Sequence, residues 1–338
     1  MARTTLKDVA AKAGVSYQTV SKVLNKQATV SAETEERIQS AIRELGYRPN
    51  ISARNLRTQS SNLIGYGWQQ SGDGSPHPVL NHFLYSAVQR AEADFYHLLA
   101  FLLAEDIDET ISLYRDLYAR RQVEGFILAD TNNDDPRIQF LIGEGIPFAS
   151  FGRANDEWDF CWVDVDGRSG MRQITTHLQE RGHQKIALVT WPEGSRAGEE
   201  REVGYFDQMA KCSLPVDDDW IMRGKNSVNS GYRLMNQLLT LPPERRPTAV
   251  ACVSDQIAIG VMNAALARGL TVGQDIAITG YDNVPMTEFL YPPLTTVQQP
   301  IQQAGQWVIE MLFRQINGEP IAQKGILLEP ELLIRESS

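Results

Sequence analysis

Apolar residues change their spacing near residue 62. Before it they recur at three- and four-residue intervals in short blocks. Thr5, with Asp8 three positions on, reads as a helix N-cap with an acid in the first turn, opening a helix over 6–13. Gly14 supplies the left-handed turn that ends it. Ser16 caps a second helix over 17–25, where Val20, Val23 and Leu24 form one buried stripe. A third begins after Ser31, carries Glu33 and Glu35 in its first turn, turns Ile38, Ala41, Ile42 and Leu45 inward and stops at Gly46. Three short helices, the first two joined through a glycine turn, describe a helix-turn-helix.

Beyond residue 62, short apolar runs alternate with helical stretches. Predicted strands are 63–68, 97–103, 125–129, 147–151, 185–190, 248–253 and 275–281, and predicted helices are 83–95, 110–119, 170–181, 229–241 and 256–268. This is an α/β pattern with parallel sheets. The stretch 62–338 is long for one doubly wound sheet, so two subdomains are expected. Ligands of open α/β sheets bind beyond the carboxyl ends of strands. That rule selects Asp130, Ser254, Asp255 and Asp282, with Arg201 opening a helix after a loop over 197–200. Asp255 and Asp166 also suit plain N-caps of the helices that follow them, and spacing leaves both readings open.

Charge separates the same two regions. Residues 1–60 hold ten Lys/Arg against five acids, while the remainder holds 22 against 37, within a net charge of −10. A basic head on an acidic body points to a polyanion as partner of the head. If Val9, Ala10, Val15, Val20 and Leu24 close the small core, then Tyr17, Gln18, Ser21 and Lys22 face outward near the start of the second helix. On an isolated helix they would read as a wetted surface. On the second helix of a helix-turn-helix they suit base edges and phosphates in a major groove.

The run TLKDVAAKAGVSYQTVSKVLN at 5–25 resembles the DNA-binding signature of the LacI/GalR family of bacterial transcription regulators. The resemblance implies DNA contacts by Thr5, Leu6, Ser16, Tyr17, Gln18, Thr19, Ser21, Lys22 and Asn25. Lys22 stands where family members with the same Tyr-Gln pair carry arginine, and lysine lacks the bidentate fork, so the resemblance does not imply an identical operator. In the linker YRPNISARNLRTQS at 47–60, Pro49 stops the third helix, and 50–56 is too short for a stable helix alone. Taken alone it is a flexible connection. The resemblance implies a hinge helix that folds on DNA, with contacts from Asn50 and Ala53 and with Leu56 wedged into the minor groove.

The body resembles the periplasmic-binding-protein-like core of the same family, through VDVDGRSG (163–170), RGH (181–183), REVGY (201–205), SDQIAIG (254–260), DIAITGYDN (275–283) and PPLTTVQQP (292–300). The implied architecture is an all-α headpiece at 1–48, a hinge at 49–61 and a two-subdomain core of parallel sheets at 62–338. The core's N-subdomain would comprise about 62–160 and 292–321, its C-subdomain about 161–291 and 322–338, with crossings near 152–163, 284–294 and 320–325. Effector contacts carry over to Asp166, Arg201, Ser254, Asp282 and Gln299, joined by Trp68 and Leu80. Arginine with several carboxylates suits vicinal hydroxyls. Ser254 replaces a frequent asparagine, and Leu80 a frequent aromatic. Of Trp68, Phe83, Phe151, Trp158, Phe160, Trp162 and Trp191, two are expected at the pocket. The implied partners are palindromic double-stranded operator DNA, a small carbohydrate effector (a purine-type corepressor being the alternative) and a second copy of the chain. The tail at 335–338 shows no leucine heptad, so a dimer is expected rather than a tetramer.

Other chemistries find little support. There is no apolar run of membrane-spanning length and no secretory h-region, so a cytoplasmic, nucleoid-associated protein is expected. Three scattered cysteines make neither a disulfide framework nor a zinc site. The chain lacks G-x-x-x-x-G-K-[ST] and G-x-S-x-G, Gly65 and Gly67 lack the rest of a dinucleotide fingerprint, and the histidines lack ligand spacing. No enzyme activity, cofactor or metal is expected. A stand-alone sugar carrier fits the body but not the head.

Overall fold

The computed structural model describes residues 4–24 (Leu24 by its backbone only), 30–47, 60–68 and 77–338. They fall into two units, Met1–Ser61 and Asn62–Ser338. In the first, α1 (Leu6–Ala13), α2 (Tyr17–Leu24) and α3 (Ala32–Leu45) enclose a small core of Val9, Ala10, Ala13, Val20, Ile38, Ala41 and Tyr47. The capping chemistry accounts for the boundaries. Ser16 Oγ accepts from Thr19 N–H at 3.1 Å and Ser31 Oγ from Thr34 N–H at 3.3 Å. Gly14 and Gly46 close α1 and α3 at φ of 66° and 58°, where a Cβ is unfavourable.

The second unit holds two parallel sheets. In the first, β1 (Leu63–Trp68), β2 (His97–Leu102), β3 (Gly125–Leu128), β4 (Phe148–Phe151), β5 (Cys161–Val165) and β11 (Gly325–Leu328) lie in the order β11-β5-β4-β3-β1-β2. Helices α4 (Pro78–Ala93) and α11 (Ile301–Ile316) pack against one another on one face. Their core takes Ile64, Tyr66, Ile127 and Ala149 from the strands. The opposite face takes Phe126, Leu128 and Phe148, covered by α5 (Ile107–Ala119) and α6 (Pro136–Glu144). Successive residues of β3 thus serve different layers, as the two-residue period of a doubly covered sheet requires.

The second sheet runs β7-β6-β8-β9, from Ile221–Arg223, Ile186–Thr190, Ala249–Cys252 and Ala277–Thr279. It is flanked by α7 (Gly167–Glu180), α8 (Arg196–Lys211), α9 (Val228–Leu238) and α10 (Asp255–Ala267) around a third core. Strand β10 (Thr296–Gln298) pairs antiparallel with β12 (Glu331–Leu333) and is bridged to the second sheet at Thr279–Thr295 and Asp282–Gln298.

The chain therefore passes between the lobes after β5, after β10 and after β11. All three passages lie later than the sequence reading put them. Residues 161–165 pair with β4 and β11, so they join the first lobe rather than the second. The strand reads C-W-V-D-V with alternating burial, which conceals it among otherwise apolar strands. Among the described residues no helix is long and apolar enough to cross a membrane.

Candidate functional site

Because all strands in each sheet run parallel, their carboxyl ends gather on one edge. The two edges meet around a cleft of about 350 Å³. The first lobe lines it with Asp130 and Thr131 after β3, Phe151 to Arg153 at the end of β4, Asp164 of β5, and Val79 and Leu80 from the first turn of α4. The second lobe brings Trp191 after β6, Glu200 and Arg201 of α8, Asn226 before α9, Asp282 after β9 and Gln299 after β10.

Arg201 lies in the second turn of α8. The helix begins at Arg196, with Ser195 capping Gly198 N–H at 3.4 Å, so the loop anticipated over 197–200 is helical. The Arg201 guanidinium stacks between the rings of Trp191 and Tyr281, at 5.0 and 3.8 Å from their centroids. It donates to the Val253 carbonyl at 2.5 Å and stands 3.6 Å from Asp282 Oδ1. Only 6% of the residue is exposed, so its charge depends on this carboxylate and the two π-faces in place of water.

Asp282 and Asn283 hold φ of 120° and 48°, a sharp turn that aims the Asp282 carboxylate at Arg201. Gln299 Nε2 donates to Asp282 Oδ1 at 2.6 Å. Burial pushes the Asp282 carboxyl up to about 6, against the pull of Arg201 and Gln299. Asp255 lies behind it, fully buried, accepting from Thr296 Oγ1 at 2.6 Å and Val284 N–H at 2.8 Å. Burial, then the Asp282 charge, holds Asp255 well above the usual carboxylate range. The capping role considered for Asp255 falls instead to Ser254, whose Oγ accepts from Ile257 N–H at 3.3 Å.

Across the cleft, Arg153 donates to Asp164 at 2.8 Å, stands 3.7 Å from Glu200 and lies over the Trp162 ring. Because Glu200 belongs to α8, Arg153 ties the two lobes. Two further links converge on the start of α8: Asn133 donates to Glu199 at 3.0 Å, and Arg196 donates to Asp156 at 2.5 Å and to the Ala154 carbonyl. The lining thus carries four carboxylates (Asp130, Asp164, Glu200, Asp282) and two guanidiniums (Arg153, Arg201), each guanidinium already facing a carboxylate.

Of the residues expected at the site, Arg201, Asp282, Gln299 and Leu80 meet in the cleft. Asp166, Ser254 and Trp68 are absent from its lining. Asp166 caps α7, accepting from Ser169 N–H at 2.8 Å. Ser254 is buried one layer back and donates to Asn226 at 2.6 Å. Trp68 packs against the first-lobe core, edge-on to Tyr66. Two aromatics of the seven considered, Phe151 and Trp191, reach the cleft. Sequence reasoning missed Arg153, Asp164, Glu200 and Asn226; Glu200 adjoins Arg201 in the chain, but only the opposing lobe gives it a role.

In the helical unit, Gln18, Lys22 and Tyr17 (half-exposed, at 50%) stand in solvent. Ser16 and Thr19 engage one another, Ser21 is half-buried, and Thr5 donates to Asp8. Leu6 is half-buried against the small core. Asn25, Asn50, Ala53 and Leu56 lie outside the described residues, as does the Leu24 side chain.

Residues 5–50 match the bacterial regulatory proteins of the lacI family, and residues 175–338 match the periplasmic binding protein-like domain. The regulator CelR of Thermobifida fusca is 33% identical over 99% of this chain and 98% of its own length. The chain belongs to the LacI family. A solved CelR–cellobiose complex covers 99% of this chain and 100% of its own, at 30% identity and a TM-score of 0.76. A LacI-family regulatory protein from Chloroflexus aggregans is 46% identical, with a TM-score of 0.77, across 82% of this chain and 98% of its own. The lac repressor dimer bound to operator and an anti-inducer superposes with a TM-score of 0.86 at 29% identity, covering 99% of each chain. This LacI-family protein is thus a DNA-binding transcription regulator with a periplasmic-binding-protein-like body.

Proposed function

We propose that the protein is a dimeric repressor whose hold on a palindromic operator is set by a neutral carbohydrate bound between the lobes of the body. The charge inventory of the cleft carries this reading. Four carboxylates surround two guanidiniums that are already engaged, so an anionic ligand would meet uncompensated negative charge. Carboxylates from both lobes, the Asn226 and Gln299 amides, and the apolar surfaces of Trp191, Phe151 and Leu80 suit the hydroxyl edges and apolar faces of a sugar ring. The cellobiose complex of CelR supports the same ligand class.

In this reading, 1–48 forms the DNA-binding headpiece, 49–61 the hinge and 62–338 the sensing and dimerising core. Tyr17, Gln18 and Lys22 read base edges, with Thr5, Leu6, Ser16, Thr19, Ser21 and Asn25 supporting the headpiece on the duplex and Asn50, Ala53 and Leu56 engaging through the hinge. Asp166 and Ser254 shape the cleft from behind. The effector adjusts the lobes through the links at the start of α8, and the change reaches the hinge. The protein works in the cytoplasm and catalyses no reaction. A thermal-shift panel of neutral sugars, uronates and nucleobases, followed by operator anisotropy with each hit, tests the proposal. Stabilisation by a neutral sugar that also changes operator affinity is expected; response to a uronate or nucleobase alone would overturn the effector class.

A further inference from the structure

Beside the main cleft, beyond the carboxyl ends of β2 and β3, lies a second chamber of about 330 Å³. The two cavities share Asp130 and Asn132 in their linings. Each is near the lower end of the range for a complete ligand site, and the two shared residues make the cavities immediate neighbours. The second chamber is amphipathic: Leu103, Ile107 and Pro136 offer apolar surface, while Glu105 and Asn133 join the shared pair in offering hydrogen bonds.

Its polar base is firmly built. Arg137 is 7% exposed and Asp135 is 5% exposed; Arg137 Nη2 donates to Asp135 at 2.6 Å and to the Asp130 carbonyl at 3.0 Å. The guanidinium therefore fixes the backbone at the junction of the two cavities. Asp130 itself adopts φ of 53°, an uncommon conformation for a side-chain-bearing residue. The carboxylate at the junction remains exposed.

We propose that the effector is an oligosaccharide of at least two linked rings, one in the main cleft and the next in this chamber, with Asp130 and Asn132 at the linkage. The inference rests on the neutral-carbohydrate reading and extends it. A monosaccharide fills one chamber; a disaccharide also covers the Ile107 and Pro136 surface and places hydroxyls within reach of Glu105 and Asn133.

Calorimetry on the full-length protein tests it, using glucose and galactose against maltose, cellobiose and lactose. One disaccharide should bind at least tenfold tighter than its constituent sugars. Ile107→Trp, which fills the chamber, should bring that disaccharide to monosaccharide affinity while operator binding persists as a check on folding. Asn132→Ala, a smaller change, should weaken the disaccharide more than the monosaccharide. Monosaccharides binding as tightly as every disaccharide, or a disaccharide unaffected by both variants, would overturn this inference and leave the carbohydrate reading standing. Failure of every sugar to bind would overturn both.

Discussion

Arg201 and Asp282 face one another at 3.6 Å, with little exposure on either side chain. They arrive from different elements: Arg201 from the second turn of α8, Asp282 from the turn after β9. Each has a second anchor, Val253 for the arginine and Gln299 for the aspartate. At 3.6 Å the pair is longer than a direct hydrogen bond, so both groups can still bond a ligand hydroxyl that bridges them from the cleft side, while neither has much access to water.

Arg201 should therefore be needed for the effector response and for nothing on the DNA side. Arg201→Lys keeps the charge but loses the planar stack on Trp191 and Tyr281 and the fixed donor fork. Losing a charged hydrogen bond of about 1.5–3 kcal/mol predicts tenfold to hundredfold weaker effector binding, with operator affinity unchanged in the absence of effector. Calorimetry and anisotropy on the same preparation check both halves. Normal regulation by Arg201→Lys would remove Arg201 from the site.

Asp282 gives the protein a pH signature. Its carboxyl titrates near 6 when folded, above the ordinary Asp range, because burial penalises its charge. The folded chain thus holds this proton more tightly than the unfolded chain. Asp282's contribution to stability should fall as pH rises from about 4 to about 6 and then level off. Ligand hydroxyls donating to the carboxylate favour its charged form, so effector affinity should rise as pH climbs through the same region. Asp282→Asn should flatten the affinity trend and remove only Asp282's share of the stability trend, because burial also raises the Asp255 carboxyl behind it. Calorimetry and urea melts at pH 5 and 7.5 check both, and an affinity slope that persists in Asp282→Asn would assign it to another group.

How much was legible in advance depended on how local the cause was. Ser16, Ser31, Gly14 and Gly46 announce helix ends through their own chemistry, and the structure places them there. The uniformly buried strands Gly125–Leu128, Ile186–Thr190 and Ala249–Cys252 appear as unbroken apolar runs. Asp130 and Asp282 followed from the strand-end rule. Strand β5 did not, because Trp162 and Asp164 alternate with its buried residues, nor did β7, β10 and β12, each three residues long. Arg153 and Glu200 gain their roles only when the two lobes meet. Residues 153 and 200 share no periodicity that could reveal it.

On the headpiece, Gln18 and Lys22 are both exposed on α2, and their chemistry separates them. Gln18→Ala should relax preference at one operator position by about 1–3 kcal/mol, with the salt dependence of binding unaltered. Lys22→Arg adds a bidentate fork and should strengthen preference for guanine at a neighbouring position. Anisotropy with singly substituted duplexes across a salt series distinguishes these outcomes. Uniform weakening on every duplex by Gln18→Ala would assign Gln18 to the phosphates.

Two glycines in helices should respond with opposite sign to the same substitution. A Cβ on Gly260 of α10 would lie 2.0 Å from the Val228 carbonyl oxygen and 2.6 Å from Tyr232 N; these are backbone atoms that cannot swing aside. Gly143 in α6 has nothing within 4 Å of its Cβ position. Alanine gains up to about 1 kcal/mol of helix propensity at either site. At Gly143 that gain stands alone, and Gly143→Ala should stabilise the body. At Gly260 the α9–α10 contact must open, and overpacking of about 1–3 kcal/mol exceeds the gain. Gly231 of α9 faces the same contact, its Cβ position 2.1 Å from the Ile257 carbonyl oxygen. One separation of the helices therefore relieves both clashes, so Gly231→Ala combined with Gly260→Ala should cost less than the sum of the two single changes. Strict additivity in urea unfolding would mean that the two glycines do not share one contact.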